Sequence, residues 1–292
     1  MEGTVFTQYC GKEEEVSVDV SESGEAYSGI AAKAFLSCKT IKKLKIGSSV
    51  AYIGNWAFAH MQNLEELVLP NREIAFGKKV FLNCNKLTRI TIQDDRSQNP
   101  GLSYFLAAAV GILQKEELLQ IREAGSESGH ANWMKAYDDA LFRYLEEADE
   151  TGFNPVFFGW FKVEDIDDQM PVFLREKRRN KARMILLRLL YPAYLSEENR
   201  VKLSACLKEY LPEQQKEKTH TAVYDLFCEA DSCYAKDVRY LQILKDCGCL
   251  SGYLIQLLLE NMKEATAEVR GYLLREESAG KEDGDFFTDF IL

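Results

Sequence analysis

The chain has 292 residues, 46% hydrophobic and 28% charged, with a net charge of −10 at pH 7. That length gives one large or two ordinary domains, each able to bury a real core. Residues 1–98 hold 12 Lys+Arg and 12 Asp+Glu, which leaves 24 against 34 for the rest of the chain. So acidic a second part is a poor match for nucleic acid or anionic lipid, which select clustered Lys and Arg, and neither partner is expected.

In chain order, Met1 to Cys10 is polar, with no basic and then apolar leader pattern, so the protein is expected to stay in the cytoplasm. Val16-Ser17-Val18-Asp19-Val20 alternates apolar and polar residues and predicts a capping strand. Ser21 to Gly29 is polar and contains glycine, which predicts a loop.

A six-point pattern then occurs three times at a spacing of 23 residues. It runs through Ile30/Ile53/Phe76, Phe35/Phe58/Phe81, Cys38/Met61/Cys84, Ile41/Leu64/Leu87, Leu44/Leu67/Ile90 and Ile46/Leu69/Ile92. A period in the twenties predicts a solenoid whose units cover one another's apolar faces. Leu64-Glu65-Glu66-Leu67-Val68-Leu69 predicts a short strand with Leu67 and Leu69 inward and Glu66 and Val68 outward. Ile53 to Phe58 is expected to turn the chain through a short helical or 3₁₀ segment that buries Ala57 and Phe58. The outward strand positions Lys43, Lys45, Glu66, Val68, Arg89 and Thr91 are the candidate binding residues, because a ligand can touch several repeats at once there.

Asp94 to Gly101 (DDRSQNPG) ends the register, so domains are expected over 1–98 and 99–292. The second is expected to be all-helical, with helices over about 102–110, 115–123, 132–149, 171–190, 197–210, 219–230, 236–246, 251–263 and 266–276. The run Leu102 to Leu113 is broken by Ser103 and Gly111 and is too short to span a bilayer. Leu186 to Ser196 is echoed 55 residues later by Leu241 to Ser251, in each case a helix, a tight turn and Leu-Ser opening another helix. Stacked helix pairs of the α-solenoid kind and an irregular bundle both satisfy that echo. The fold class is therefore α+β in two parts, a short parallel-strand solenoid followed by an all-α domain that is expected to be solenoid-like.

The unit Ile-Gly-x-x-Ala-Phe-x-x-x-x-x-Leu-x-x-Leu-x-Leu-Pro, intact at Ile53 to Pro70, resembles the BspA-type leucine-rich repeat. Tyr9 to Glu13 ahead of Val16 and Val18 is also similar to the opening of such proteins, so the resemblance covers about residues 9–93. The helical part is similar, more loosely, to helical tails that follow such repeats in some clostridial proteins, through Leu250-Ser251 and Ala267 to Leu274. The resemblance implies a bacterial protein that recognises other proteins or surfaces. The expected function is thus a non-catalytic protein–protein interaction module. A surface adhesin for host protein or glycan is the alternative, with the cell surface as its location, and an enzyme with a site in the helical part is a further one.

No catalytic or metal constellation is expected, and no cofactor. His60, His130 and His220 are far apart and assigned to a repeat turn, a loop and a helix start. Cys228/Cys233 and Cys247/Cys249 lie on expected helices at spacings unlike zinc knuckles. Cys38 and Cys84, two repeats apart, are separated by about 10 Å at strand spacing, too far for a disulfide. Two features carry other possibilities. Arg175 to Arg183 (REKRRNKAR) has six basic residues and is expected to be a solvated helix face, the alternative being a patch for nucleic acid or an acidic partner. Phe153 to Phe161 has five aromatic residues and is expected to be a buried plug, or a partner groove if exposed.

Overall fold

Among the described residues, eight short strands alternate between two parallel sheets, because each repeat contains two extended stretches. They are β1 (Thr4–Phe6), β2 (Glu15–Val18), β3 (Tyr27–Ile30), β4 (Lys43–Ile46), β5 (Tyr52–Ile53), β6 (Glu66–Leu69), β7 (Ala75–Phe76) and β8 (Arg89–Ile92). One sheet runs β1-β3-β5-β7 and the other β2-β4-β6-β8, which makes four coils of a solenoid. The computed structural model describes residues 3–94, 99–119, 127–153, 166–211 and 221–285. Gly125, Ser126, Pro212, His220 and the aromatic run after Phe153 lie outside these residues.

The expected strands are present, and the register stacks like on like: Leu44 pairs with Leu67, and Leu67 with Ile90, all three fully buried. Three details differ from expectation. Ile53 does not simply turn the chain but pairs with Ile30 and Phe76 in the second sheet. Thr4 to Phe6 adds a strand at the start of that sheet. The Ser21–Gly29 loop is shorter, since Tyr27 to Gly29 belong to β3. The cause is the same each time: a strict period brings equivalent backbone to strand spacing, and any extended stretch there closes a ladder.

Between the two strands of a coil the chain makes tight turns rather than a helix. Positive φ angles recur at Lys33, Trp56 and Lys79, and again at Ser37, His60 and Asn83, each set in steps of 23. Left-handed residues interrupt helical hydrogen bonding after one turn. The turn backbone pairs with the next coil instead: Phe35 N–H donates to the Ala57 carbonyl at 2.8 Å and Phe58 N–H to Val80 at 3.2 Å. Gly54 is required here, because a Cβ at that position would sit 2.4 Å from the Ala32 nitrogen.

A column of rings fills the space behind the turns. Phe6, Phe35, Phe58 and Phe81 follow one another at centroid separations of 5.0, 5.7 and 5.7 Å. Cys84 lies below them, buried, with its thiol donating to the Phe58 carbonyl, whereas Cys38 is half-buried rather than fully interior. Burying each ring contributes roughly 2–3 kcal/mol, plus the dispersion of the stacked neighbours.

The last coil is closed by α1 (Leu102–Gly111), which packs on β8. Its Leu102, Phe105, Leu106 and Ala107 to Val110 are all buried, so the longest apolar run of the chain is a lid over an exposed core edge. A 3₁₀ turn (Glu116–Leu119) forms the described part of the helix expected over 115–123, whose remainder lies outside the described residues, and α2 (Glu127–Glu146) follows. Phe105 meets Tyr137 of α2 at 4.9 Å, and the Trp133 indole N–H donates to the Leu118 carbonyl. Strand thus gives way to helix before Leu102, while the compact units divide after Tyr144.

The described part of the second unit, residues 145–292, is built of helices joined by turns. It contains α3 (Ile166–Leu190), α4 (Glu197–Lys208), α5 (Ala222–Cys228), a 3₁₀ turn (Tyr234–Lys236), α6 (Arg239–Asp246), α7 (Gly252–Asn261) and α8 (Ala267–Asp285). The longest, α3, begins ahead of Pro171 rather than at it and touches α4, α5 and α6. The internal echo is physical. Ser196 and Ser251 both sit in extended backbone as N-caps, accepting from the N–H groups of Asn199 and Leu254, each at 3.2 Å. Each such cap contributes about 1 kcal/mol.

Phe58→Ala removes the central ring of the column and is expected to destabilise the solenoid by about 3–5 kcal/mol in urea unfolding. A loss below about 1 kcal/mol would show that the column does not carry the core.

Candidate functional site

The parity of a strand decides which side chains the solenoid shows. With Leu44 and Ile46, Leu67 and Leu69, and Ile90 held inward, Lys43 and Lys45, Glu66 and Val68, and Arg89 and Thr91 must face out. The register places them in two rows. Lys43 pairs with Glu66 and Glu66 with Arg89; Lys45 pairs with Val68 and Val68 with Thr91. Neighbours in a row are about 4.8 Å apart, so one extended partner can touch all the coils together.

β2 lengthens both rows, with Glu15 beside Lys43 and Ser17 beside Lys45. These two residues are absent from the sequence-derived candidates, although the alternation at Val16 to Val18 contained the signal. With Glu15 included, the first row reads minus, plus, minus, plus. Lys43 Nζ lies 3.2 Å from Glu66 Oε2, a partly exposed pair of the kind that contributes a few tenths of a kcal/mol. Arg89 ends the row with its guanidinium 5.9 Å from the ring centre of Tyr104 on α1. The first row therefore answers most of its charge internally. In the second row Lys45 is exposed and Val68 half-buried, while at Thr91 the hydroxyl is buried.

Among the described residues, these two rows contain no His or Cys. A cavity of about 670 Å³ in the first unit lies beside β7, lined by Leu69, Pro70, Ile74, Phe76 and Leu119. Its titratable lining groups are Arg72, which donates to the Ser48 carbonyl at 3.0 Å, and Glu73. Among the described residues no cluster of three His, Cys, Asp or Glu could hold a metal ion. His60 sits in its repeat turn with Nδ1 3.2 Å from Asn83 Nδ2. His130, assigned to a loop by sequence, is buried on α2 with Nε2 3.1 Å from Asn99 Nδ2.

All eight cysteines are free. Burial pushes the Cys84 thiol up to about 12 and those of Cys228 and Cys249 up to about 11, which keeps them protonated and inert. Cys228 ends α5, but Cys247 follows α6, and Cys233 and Cys249 lie in connections, so of these four only Cys228 is on a helix as expected.

The basic run on α3 is not a solvated face. Arg175 forms a two-pronged pair with the buried Asp225 at 2.7 and 2.9 Å. Lys177 meets Glu147 at 2.8 Å, Arg178 meets Asp149 at 3.0 Å, and Lys181 meets Asp149 at 2.9 Å. Arg179 bridges Glu176 and Glu229. Lys177, Arg179 and Lys181 are largely buried by these contacts, and only Arg175 and Arg178 stay more than half exposed. Further along, the buried Arg188 donates to the Tyr191 and Ala193 carbonyls and fastens the turn before α4. The run reads as cationic in sequence because its carboxylates come from other parts of the unit. Of the aromatic run, Phe153 packs on Phe173 of α3 at 5.3 Å.

The family model described as BspA type leucine rich repeat region (6 copies) matches residues 15–106. The crystal structure of the T. pallidum leucine-rich repeat protein is similar over 33% of this chain and 45% of its own, at 27% identity and a TM-score of 0.30. This chain therefore spans under half the length of that protein. No curated protein matches the chain. No helix among the described residues is long and apolar enough to cross a membrane.

Asp225→Asn keeps the shape of the buried partner and removes its charge. The expected loss is about 1–2 kcal/mol in urea unfolding, reduced from a fully buried pair because Arg175 is half exposed. An unchanged midpoint would show that Arg175 is held by water as well as by Asp225.

Proposed function

With residues 15–106 a BspA-type leucine-rich repeat region, we propose that the chain is a non-catalytic protein-recognition module. Leucine-rich repeats are generally protein-interaction modules, and the strand face is the part of this one suited to the task. The observation that carries the reading is the register: Lys43, Lys45, Glu66, Val68, Arg89 and Thr91 lie in two straight rows on a sheet whose other side is the core. A rigid, repeated surface loses little entropy on binding and offers several contacts at fixed spacing. Because the first row balances its own charges, the partner is set by shape and by the second row, where Lys45 and Val68 supply a cation beside an apolar patch.

Val68→Asp with Lys45→Glu tests this without touching the core. Capture from a lysate of the source cells with wild type and with the double variant, compared by mass spectrometry, is expected to lose one protein partner by about tenfold or more. Identical partner lists from the two would sink the strand-face reading.

We place this recognition in the cytoplasm. Buried thiols such as Cys84 and Cys249 are used as packing groups, which suits a reducing compartment. Fractionation of the source cells is expected to find the protein in the cytosolic pool. Digestion by protease added to intact cells would instead support the surface-adhesin alternative.

A further inference from the structure

The turn side of the solenoid has a composition that the rest of the first unit does not share. Residues 31–40, 54–63 and 77–86 contain Lys33, Lys39, Lys78, Lys79 and Lys86, and no Asp or Glu. The twelve carboxylates of residues 1–98 lie elsewhere, so a region that is neutral overall is strongly polarised. The coil-to-coil hydrogen bonds Lys33 N–H to Asn55, Trp56 N–H to Lys78 and His60 N–H to Leu82 stack these turns into one ridge. The matched positive φ angles hold each turn in the same shape.

All five lysines are exposed. Lys33, Lys39, Lys78 and Lys86 have no ion pair among the described residues, and Lys86 Nζ donates to the neutral Asn63 side chain at 2.9 Å. Lys79 Nζ stands 5.3 Å from the ring centre of the half-buried Trp56, which puts an aromatic surface in the middle of the cations. At the amino edge of the ridge, Tyr9 stacks on Phe35, and Glu13 accepts from the Tyr9 hydroxyl and the Lys12 N–H. The Glu13 carboxylate at that edge is already engaged.

We propose that this ridge is a second interaction surface, which docks an acidic polypeptide segment carrying an aromatic residue. The cations match carboxylates in sign, and Trp56 gives an aromatic side chain a place to pack. Two coils separate Lys33 from Lys79, about 10 Å at strand spacing, which three residues of an extended segment span. Nucleic acid fits less well. The ridge has no arginine to fork onto phosphate, and its turn N–H groups are largely spent on neighbouring coils. A chain of net charge −10 also repels a long polyanion more than it repels a short segment. This surface is distinct from the strand face, and its role does not depend on what the strand face binds.

The test uses the full chain and fluorescence anisotropy. The probe is a fluorescein-labelled twelve-residue peptide of repeated Asp-Glu-Phe, and its control is the same peptide with Asn and Gln. The acidic probe is expected to bind about tenfold tighter than the control in low salt and to weaken as ionic strength rises. Lys33→Glu, Lys78→Glu and Lys79→Glu together should cost about tenfold or more, while Lys135→Glu, exposed on α2 and outside both surfaces, stays within about twofold. Circular dichroism checks the fold, and if the triple reversal does not fold, the triple Lys→Gln variant replaces it. Equal binding of both peptides, or no effect of the ridge variants, overturns the proposal. So does binding of a twenty-nucleotide single-stranded DNA or of phosphatidylserine vesicles as tightly as the acidic probe.

Discussion

Everything in the first unit depends on one constraint: no coil can bury its own apolar face. A four-residue strand and a two-residue strand leave Leu, Ile and Phe side chains open on both sides, and only the next coil closes them. Hence the fixed interval. If Leu44, Leu67 and Ile90 did not fall at the same point of successive coils, neither their ladder nor the Phe35–Phe58–Phe81 column could form. The left-handed turns at Lys33, Trp56 and Lys79 follow from the same requirement. They carry unfavourable backbone conformations for non-glycine residues, and the stack of coil-to-coil hydrogen bonds offsets that cost.

A stack has ends, and the ends explain the sequence that flanks the repeats. α1 is apolar on nearly every side because it must cover the last coil while the 3₁₀ turn Glu116–Leu119 packs on it and Tyr137 of α2 meets its Phe105. The helical part of the sequence therefore serves two purposes. Its first portion finishes the solenoid, and the portion after Tyr144 forms a unit of its own. Surface properties follow from the same geometry. Strand parity places Lys45 and Val68 outward in one row, and turn stacking gathers lysines along another side, so a short solenoid offers two chemically different faces.

In the second unit the organising element is α3, and electrostatics rather than periodicity decides its surroundings. Arg175, Lys177, Arg178, Arg179 and Lys181 each find a carboxylate from outside their own turn of helix: Asp225, Glu147, Asp149 and Glu229. Partly buried cations are tolerated because they are paired and hydrogen-bonded, and removing a partner costs more than the pair contributes. The net acidity of this part of the chain coexists with a cationic helix for that reason.

The sequence alone determined the solenoid, because a repeat of period 23 with inward and outward alternation has few other physical solutions. It determined the helices at Leu102, Ser196 and Ser251, where apolar spacing and capping residues agree, and the outward identity of Lys43, Lys45, Glu66, Val68, Arg89 and Thr91. The second sheet was not legible, since two residues such as Tyr52 and Ile53 have no period of their own and pair only once the coils are stacked. Nor could the run at Arg175 be read as a set of ion pairs, because its partners at Asp225 and Glu229 are about 50 residues away and no local rule links them. The compact units divide after Tyr144 because α1 packs on β8 and Tyr137 of α2 packs on Phe105 of α1, contacts that no local change of composition marks. Local chemistry writes the elements into the sequence; which charges meet, and which edges need covering, exists only when distant segments are brought into contact.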